Sequence, residues 1–183
     1  TDLLAGMVWK GYSFISQSIS DLIAVGAPTR PLVLPLDITY YVLMLAFGVG
    51  VWRSAYQNRF LHMTAGFLAG NAVLTLVVSV FFPMHLGEAV TTPANTMNVI
   101  LMGLSVLFFF LAVCFGAAAS RNWFRYYSIG TILVFFILDV LATLGTKPAL
   151  GGHPGPLVGV QERTMIYGEL LWLTLQAIVL LRA

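Results

Sequence analysis

The sequence has few charged residues and almost no cysteine. Lys and Arg together number 9 and Asp and Glu 7 among 183 residues, so 9% of the chain is charged, against about 25% in an ordinary soluble domain. The net charge of +2 is too small and too scattered to indicate a nucleic-acid partner. The single cysteine, Cys114, lies in an apolar run, which excludes an intrachain disulfide or a cysteine-based metal site.

The sequence also lacks the short motifs that mark common active sites: a nucleophile elbow, a Walker motif, a glycine-rich dinucleotide loop or a His-x-x-x-His pair. None of the three histidines lies in the middle of a long apolar run, which argues against haem held by two histidines. His62 and His85 are 23 positions apart, or about 34 Å of helix, and His85 and His153 match no zinc signature. We therefore predict no metal and no cofactor, although the composition is compatible with a bound lipid.

What the sequence has instead is long hydrophobic runs, with 59% hydrophobic residues and a mean hydropathy of +0.91. About 20 apolar residues cross a bilayer as a helix, and an open sheet cannot satisfy its backbone in hydrocarbon. The runs therefore predict an all-α, polytopic transmembrane helix bundle that forms a single domain over residues 1–183. It has five complete spans, here called A to E, at residues 38–52, 63–82, 96–119, 126–146 and 164–181.

The first 25 residues do not contain a full span. Residues 3–9 are apolar but far too short to cross a bilayer, and we expect them to be the remnant of a first span, which makes six in the intact protein. Residues 12–25 have apolar and polar faces at helical spacing. They predict a short amphipathic helix at the outer membrane interface, acting either as a lid on the bundle or as a gate.

The basic residues predict the orientation. Arg53 and Arg59 lie between spans A and B, Arg121 and Arg125 between C and D, and Arg182 at the C-terminus. Because Lys and Arg are retained on the cytoplasmic side, these three places should share that side. We expect an integral protein of the prokaryotic inner (cytoplasmic) membrane with a cytoplasmic C-terminus.

Polar side chains recur at helical spacing along the spans, and in hydrocarbon such groups need partners, so they should face inward and meet. The neutral ones indicate packing through interhelical hydrogen bonds. Ionisable groups at this depth mark a functional site by default, although a structural ion pair, for example with Arg163, is an equal alternative. We predict a polar pocket open to the non-cytoplasmic side that contains Ser16, Ser20, Asp21, Asp37, His85, Asn98, Asp139, Glu162, Arg163 and Glu169.

Three stretches carry a family resemblance: the sequence YSFISQSISDL at 12–22, Phe82-Pro83, and Glu162-Arg163 followed by ELLW at 169–172. They resemble the uncharacterised prokaryotic multi-pass membrane proteins called domain of unknown function 998. The resemblance covers almost the whole chain and implies six helices, one of them before residue 12. That family often has an acidic residue after Phe-Pro and a histidine early in the next helix. His85 and Asn98 stand there in this chain, which weakens a metal or hydrolytic role, and no activity is carried over.

Three hypotheses of function follow. The small size and the absence of catalytic motifs favour a non-enzymatic accessory subunit of a larger membrane complex, or a protein that binds a lipid or another hydrophobic ligand. A lipid-modifying enzyme would use intramembrane carboxylates, namely Asp21, Asp139 or Glu169, together with His85. A proton-coupled transporter would use Asp139 and Glu169, although the sequence shows no clear internal repeat.

Overall fold

The computed structural model of the chain describes residues 2–86, 92–121, 123–145 and 157–182. Within these ranges the chain forms α-helices and no strand. The helices are α1 (Asp2–Val8), α2 (Ile19–Ile23), α3 (Arg30–Ser54), α4 (Arg59–Phe81), α5 (Pro93–Ala119), α6 (Trp123–Gly145) and α7 (Val158–Leu181).

Helices α3 to α7 correspond to the predicted spans A to E. Each contains a stretch that is long and apolar enough to cross a membrane, which confirms the all-α polytopic bundle. The helices are longer than the apolar stretches, and α3 begins at Arg30 where residue 38 was predicted. Pro31 stands in the first turn of α3, where proline needs no hydrogen-bond partner for its nitrogen. Residue 146, the predicted end of span D, and His153 lie outside the described residues.

Sequential helices pack against one another as antiparallel neighbours. The starts of α3, α5 and α7 and the ends of α4 and α6 therefore lie at one end of the bundle, here called the α2 end, together with α1 and α2. At the opposite end, here called the far end, Asn58 Nδ2 donates a hydrogen bond to the carbonyl of Ala119 at 3.4 Å. The far end carries the basic residues that the orientation prediction used: Arg53, Arg59, Arg121, Arg125 and Arg182.

The centre of the bundle is aromatic, and Trp172 of α7 is its largest fully buried side chain. Its ring lies 5.8 Å from that of Phe109 and 5.7 Å from that of Phe124, and its Nε1 donates to Ser128 Oγ at 2.9 Å. A Cβ on Gly116 of α5 would lie 2.8 Å from Trp172 Cζ2. A residue without a side chain is therefore needed at position 116 so that the Trp172 ring can pack against α5.

The amphipathic helix predicted over residues 12–25 is helical only at α2, so that prediction was too long. Residues 12–18 form turns, in which the Tyr12 hydroxyl donates to the Ser18 carbonyl at 2.6 Å and Gln17 Oε1 accepts from Ser13 N at 2.7 Å. Side chains of this kind offer the backbone an alternative to helical hydrogen bonds. Ser18 then starts α2 through a capping box with Asp21, which satisfies two end groups of the helix.

Residues 3–9, where the remnant of a first span was predicted, lie in or directly after the short helix α1 (Asp2–Val8); that they are such a remnant stays a prediction. Ala5 and Gly6 of α1 are buried, and Ala5 belongs to a small apolar cluster with Tyr12, Leu22 and Val33. The N-terminal segment thus packs onto the start of α3.

Helix α3 approaches α4 closely at Gly48, where a Cβ would lie 3.3 Å from the backbone nitrogen of Ala69. Gly50, two residues further along α3, has nothing within 4 Å of such a Cβ. We predict that Gly48→Leu lowers the stability of the bundle by about 1–3 kcal/mol because α4 must move away. Thermal unfolding in detergent should show a lower Tm for Gly48→Leu and an almost unchanged Tm for Gly50→Leu. Equal losses in the two variants would contradict this packing.

Candidate functional site

A cavity of about 250 Å³ lies inside the bundle and is walled by residues of α2 to α7. Its wall combines polar side chains with apolar and aromatic ones. The polar set is Ser20, Asp37, Tyr41, Asn71, Thr75, Ser79, Asn98, Ser105, Glu162 and Glu169.

The helical repeat explains why these residues share a wall. Glu162 and Glu169 are two turns apart on α7, and Asn71, Thr75 and Ser79 follow at steps of four on α4, so each set occupies one helical face. The apolar faces of the same helices then face outward, which suits hydrocarbon.

Asp37 is in the second turn of α3, about 10 Å along the helix axis from Arg30. Residue 37 directly precedes the predicted span A (38–52), which would put it at the outer end of the helix. Because α3 begins at Arg30, the carboxylate lies inside the bundle instead. One of its oxygens accepts a hydrogen bond from Ser79 Oγ of α4 at 2.9 Å. This bond joins α3 to α4 across the cavity wall.

Glu169 lies deeper still, about 16 Å along α7 from Val158. Its Oε1 accepts a hydrogen bond from the Tyr40 hydroxyl of α3 at 3.3 Å. Asp37 and Glu169 both line the cavity, and Tyr40, the donor to Glu169, lies three positions after Asp37 on α3. The two carboxylates therefore face the same region of the cavity from different helices.

Glu162 ties α2 to α7. Its carboxylate accepts hydrogen bonds from the backbone nitrogen of Ile19 at 2.6 Å and from Ser20 Oγ at 3.4 Å. Ile19, Ser20 and Ile23 consequently form part of the cavity wall at the α2 end. The next residues are held as well, because Val25 N donates to the carbonyl of Met84 at 2.8 Å.

Asn71 is a buried polar residue of the wall, with 6% of its surface exposed. Its Nδ2 donates to the backbone carbonyl of Ser105 at 2.8 Å. The backbone carbonyl of Asn71 accepts from Thr75 Oγ1 at 3.0 Å. Its Oδ1 has no hydrogen-bond partner within the part of the chain that the structure describes. A buried acceptor without a partner is rare in folded proteins and calls for an explanation.

Arg163 does not line the cavity, although the sequence predicted it there. It is 8% exposed, and its Nε forms an ion pair with Asp2 Oδ2 at 3.2 Å. Its terminal nitrogens donate to the carbonyls of Phe14 and Gly159 at 2.8 and 2.9 Å and to the Tyr12 hydroxyl at 2.9 Å. The guanidinium is thus used to hold α1 and the turns after it against α7.

Tyr12 is the uncharged side chain among those that accept a hydrogen bond from the Arg163 guanidinium. Burial raises the pKa of its hydroxyl, which keeps the proton on the oxygen. The hydroxyl can then accept from Arg163 while donating to the carbonyl of Ser18. The cluster formed by Asp2, Tyr12 and Arg163 is here called the arginine clasp.

The predicted pocket residues fall into two groups. Those that line the cavity are Ser20, Asp37, Asn98, Glu162 and Glu169. Those that do not are Ser16, Asp21, His85, Asp139 and Arg163. Asp21 caps α2, while Ser16 and Asp139 are exposed at the surface of the bundle. The roles assigned to all ten stay predictions.

Some residues of the site were missed by the sequence interpretation. Tyr40 and Tyr41 lie three and four positions after Asp37, and this spacing on one helical face could have identified them. Asp2 carried no such signal, because its partner Arg163 is 161 positions away in the chain. Among the described residues, no three His, Cys, Asp or Glu side chains are placed to hold a metal ion.

A bundle of five helices that are long and apolar enough to cross a membrane, with polar groups paired in its interior, defines a polytopic integral membrane protein. The chain matches the model of the family described as Protein of unknown function (DUF998) over residues 1–179 and belongs to that family. The match confirms the resemblance carried by the sequence. Comparisons with curated proteins and with solved structures gave no match.

The arginine clasp provides a test of how the N-terminal segment is held. We predict that Arg163→Met weakens the docking of residues 2–18, because the Asp2 carboxylate keeps only its hydrogen bonds from Tyr167 and the carbonyl of Phe14 loses this donor, a loss of about 3–5 kcal/mol for a buried pair. Hydrogen-exchange mass spectrometry should show faster exchange in residues 2–18. Arg182→Met, a change at an exposed position beyond the other end of α7, should leave that exchange unchanged. Unchanged protection in Arg163→Met would refute the clasp.

Proposed function

We propose that this protein binds a small amphiphilic molecule, holding its polar end and an adjoining apolar segment in the central cavity. The observation that carries this proposal is the division of the cavity wall into a polar and an aromatic part. Asn98 lies about one turn from the start of α5, whereas Phe109 lies more than four turns from it. Phe109, Phe110 and Phe135 supply the aromatic part, and binding sites for small molecules combine apolar walls with a few polar groups in this way.

The volume limits what can bind. A cavity of about 250 Å³ has the volume of roughly eight water molecules at about 30 Å³ each, slightly below the range of about 300–1,000 Å³ for drug-sized sites. It therefore suits a lipid head group or a short-chain compound. The chains of a whole lipid would have to lie outside it.

The chemistry of the wall favours binding over catalysis. The described residues that line the cavity include no His, Cys, Lys or Arg. A Ser–His, Cys–His or Ser–Lys pair is therefore not present among the described residues of this wall. The accessory, enzymatic and transport roles derived from the sequence stay predictions, and no contact in the described residues favours one of them.

We place the α2 end on the non-cytoplasmic side of the membrane. The basic residues at the far end, among them Arg59 and Arg125, support this orientation because basic residues are enriched on the cytoplasmic side. The cavity then extends from the non-cytoplasmic end to the middle of the bundle, and Asp37 and Glu162 lie in its non-cytoplasmic part. The C-terminus, at the far end, is cytoplasmic in this arrangement.

The proposal is tested with 1-hexanol, a short amphiphile, and a matched pair of Val→Phe variants on α5. Val106 lines the cavity, whereas Val99 is 47% exposed on the surface of the bundle. A ligand at ten times its Kd adds about 1.4 kcal/mol to the stability of the folded state, or roughly 3–5 °C in Tm for a chain of this size.

We expect 1-hexanol to raise the Tm of the wild type and of Val99→Phe in detergent micelles. Val106→Phe fills the cavity and should lose most of this rise. Partitioning of the alcohol into micelles affects all three proteins alike, so the difference between the two variants reports the cavity alone. A rise of the same size in Val106→Phe would refute binding in the cavity.

A further inference from the structure

Resting on the proposed function, we infer that the molecule held in the cavity is a protonated amine, with its ammonium group bound between Asp37, Glu169 and Asn71 and its apolar part directed toward the aromatic wall. Three observations lead to this ligand class: the sign of the charges on the wall, the direction of its hydrogen bonds, and the acceptor left on Asn71.

The charges on the wall have one sign. Asp37, Glu162 and Glu169 all line the cavity, and the described lining residues include no cation. The hydrogen-bond donors to these carboxylates are uncharged: Ser79 and Tyr40 hydroxyls for Asp37 and Glu169, and the Ile19 amide with Ser20 for Glu162. Arg163, the cation nearest to them in sequence, is bound to Asp2 instead. A carboxylate in a membrane interior is costly unless it is paired or protonated, and a cationic ligand would provide the pairing charge.

Except for Tyr41, the hydroxyl and amide side chains of the wall already donate hydrogen bonds within the protein. Thr75, Ser105 and Asn98 donate to the carbonyls of Asn71, Met102 and Phe82. Ser79 and Ser20 donate to the carboxylates, and Asn71 Nδ2 to Ser105. What this wall offers a ligand is therefore mainly acceptors, and an ammonium group carries three donors and no acceptor.

Asn71 supplies the observation that is independent of the carboxylates. It is more than nine-tenths buried and lines the same cavity, and its Oδ1 lacks a partner among the described residues. Asn71 is about 15 Å from the end of α4, a depth similar to that of Glu169 on α7. A donor placed between them would satisfy the amide oxygen and a carboxylate together.

An organic cation fits this wall better than a metal ion does. Within the described ranges no three His, Cys, Asp or Glu side chains are placed to hold a metal ion, and hard cations such as Mg²⁺ and Ca²⁺ require six or more oxygen ligands. Phe109, Phe110 and Phe135 next to the polar groups would contact an apolar body, which a metal ion lacks. An alkylammonium satisfies both parts of the wall.

The test compares three compounds with the same chain: hexylammonium, 1-hexanol and hexanoate. Their Kd values are measured with wild-type protein from the concentration dependence of Tm, and Val106→Phe gives the background in each case. Because charge-assisted hydrogen bonds are about twice as strong as neutral ones, we expect hexylammonium to bind about tenfold or more tightly than 1-hexanol. Hexanoate should bind most weakly.

The carboxylates are tested by Asp37→Asn and Glu169→Gln, with Asp139→Asn as the matched control. Asp139 is a carboxylate in the same half of the bundle that does not line the cavity. The preference for hexylammonium over 1-hexanol should fall to about threefold or less in the first two variants and persist in the control. The comparison in the wild type stands if a variant fails to fold.

The outcomes separate the two proposals. Equal affinities of the wild type for hexylammonium and 1-hexanol, both lost in Val106→Phe, would overturn the amine and leave the binding cavity standing. A preference for hexylammonium that survives both carboxylate variants would also overturn the inference. If no compound gives a Tm rise that Val106→Phe removes, binding in the cavity fails, and the amine fails with it.

Discussion

The structure depends on one constraint: a polar group inside an apolar helix bundle needs a partner, because neither hydrocarbon nor apolar side chains can supply one. The polar side chains of α3, α4, α5 and α7 meet for this reason. Ser79 bonds to Asp37, and Tyr40 bonds to Glu169, so each of these pairs joins two helices. The region where these groups meet contains the cavity.

The arginine clasp determines the charge of that cavity. Arg163 directly follows Glu162 and lies six positions before Glu169, but adjacent residues of a helix point about 100° apart, so it cannot face the same way as both. It faces the N-terminal segment, where it forms an ion pair with Asp2 and donates a hydrogen bond to the carbonyl of Phe14. The cation most able to neutralise the carboxylates is thereby removed, and α2 is held over the α2 end of the bundle by Glu162.

The sequence predicted the features that follow from hydropathy and helical periodicity. The five long helices and the polar face of α4, formed by Asn71, Thr75 and Ser79, belong to this class. Each of them depends only on which residues within one helix are polar and which are apolar. Depth and facing are different quantities, however: Asp139 lies deep in α6 yet is exposed on the surface of the bundle. The partner of Arg163 depends on how the chain folds back over 161 positions, and no local pattern predicts such a contact. The length of α2 depends on side chains before it, such as Ser13 and Gln17, that make hydrogen bonds in place of helical backbone bonds. The periodicity of apolar residues does not reveal such bonds.

The carboxylates of the cavity exceed what packing requires. Elsewhere in the bundle the protein joins its helices with neutral hydrogen bonds, as between Trp172 and Ser128 or between Asn58 and the carbonyl of Ala119. Such bonds satisfy the backbone and side chains without a charge in the membrane interior. Three of only seven acidic residues nevertheless line one cavity, where each has a neutral partner that an amide side chain could also serve. An acid differs from an amide in the negative charge that it can carry, and this is the property by which the proposed site would distinguish a cationic ligand from a neutral one.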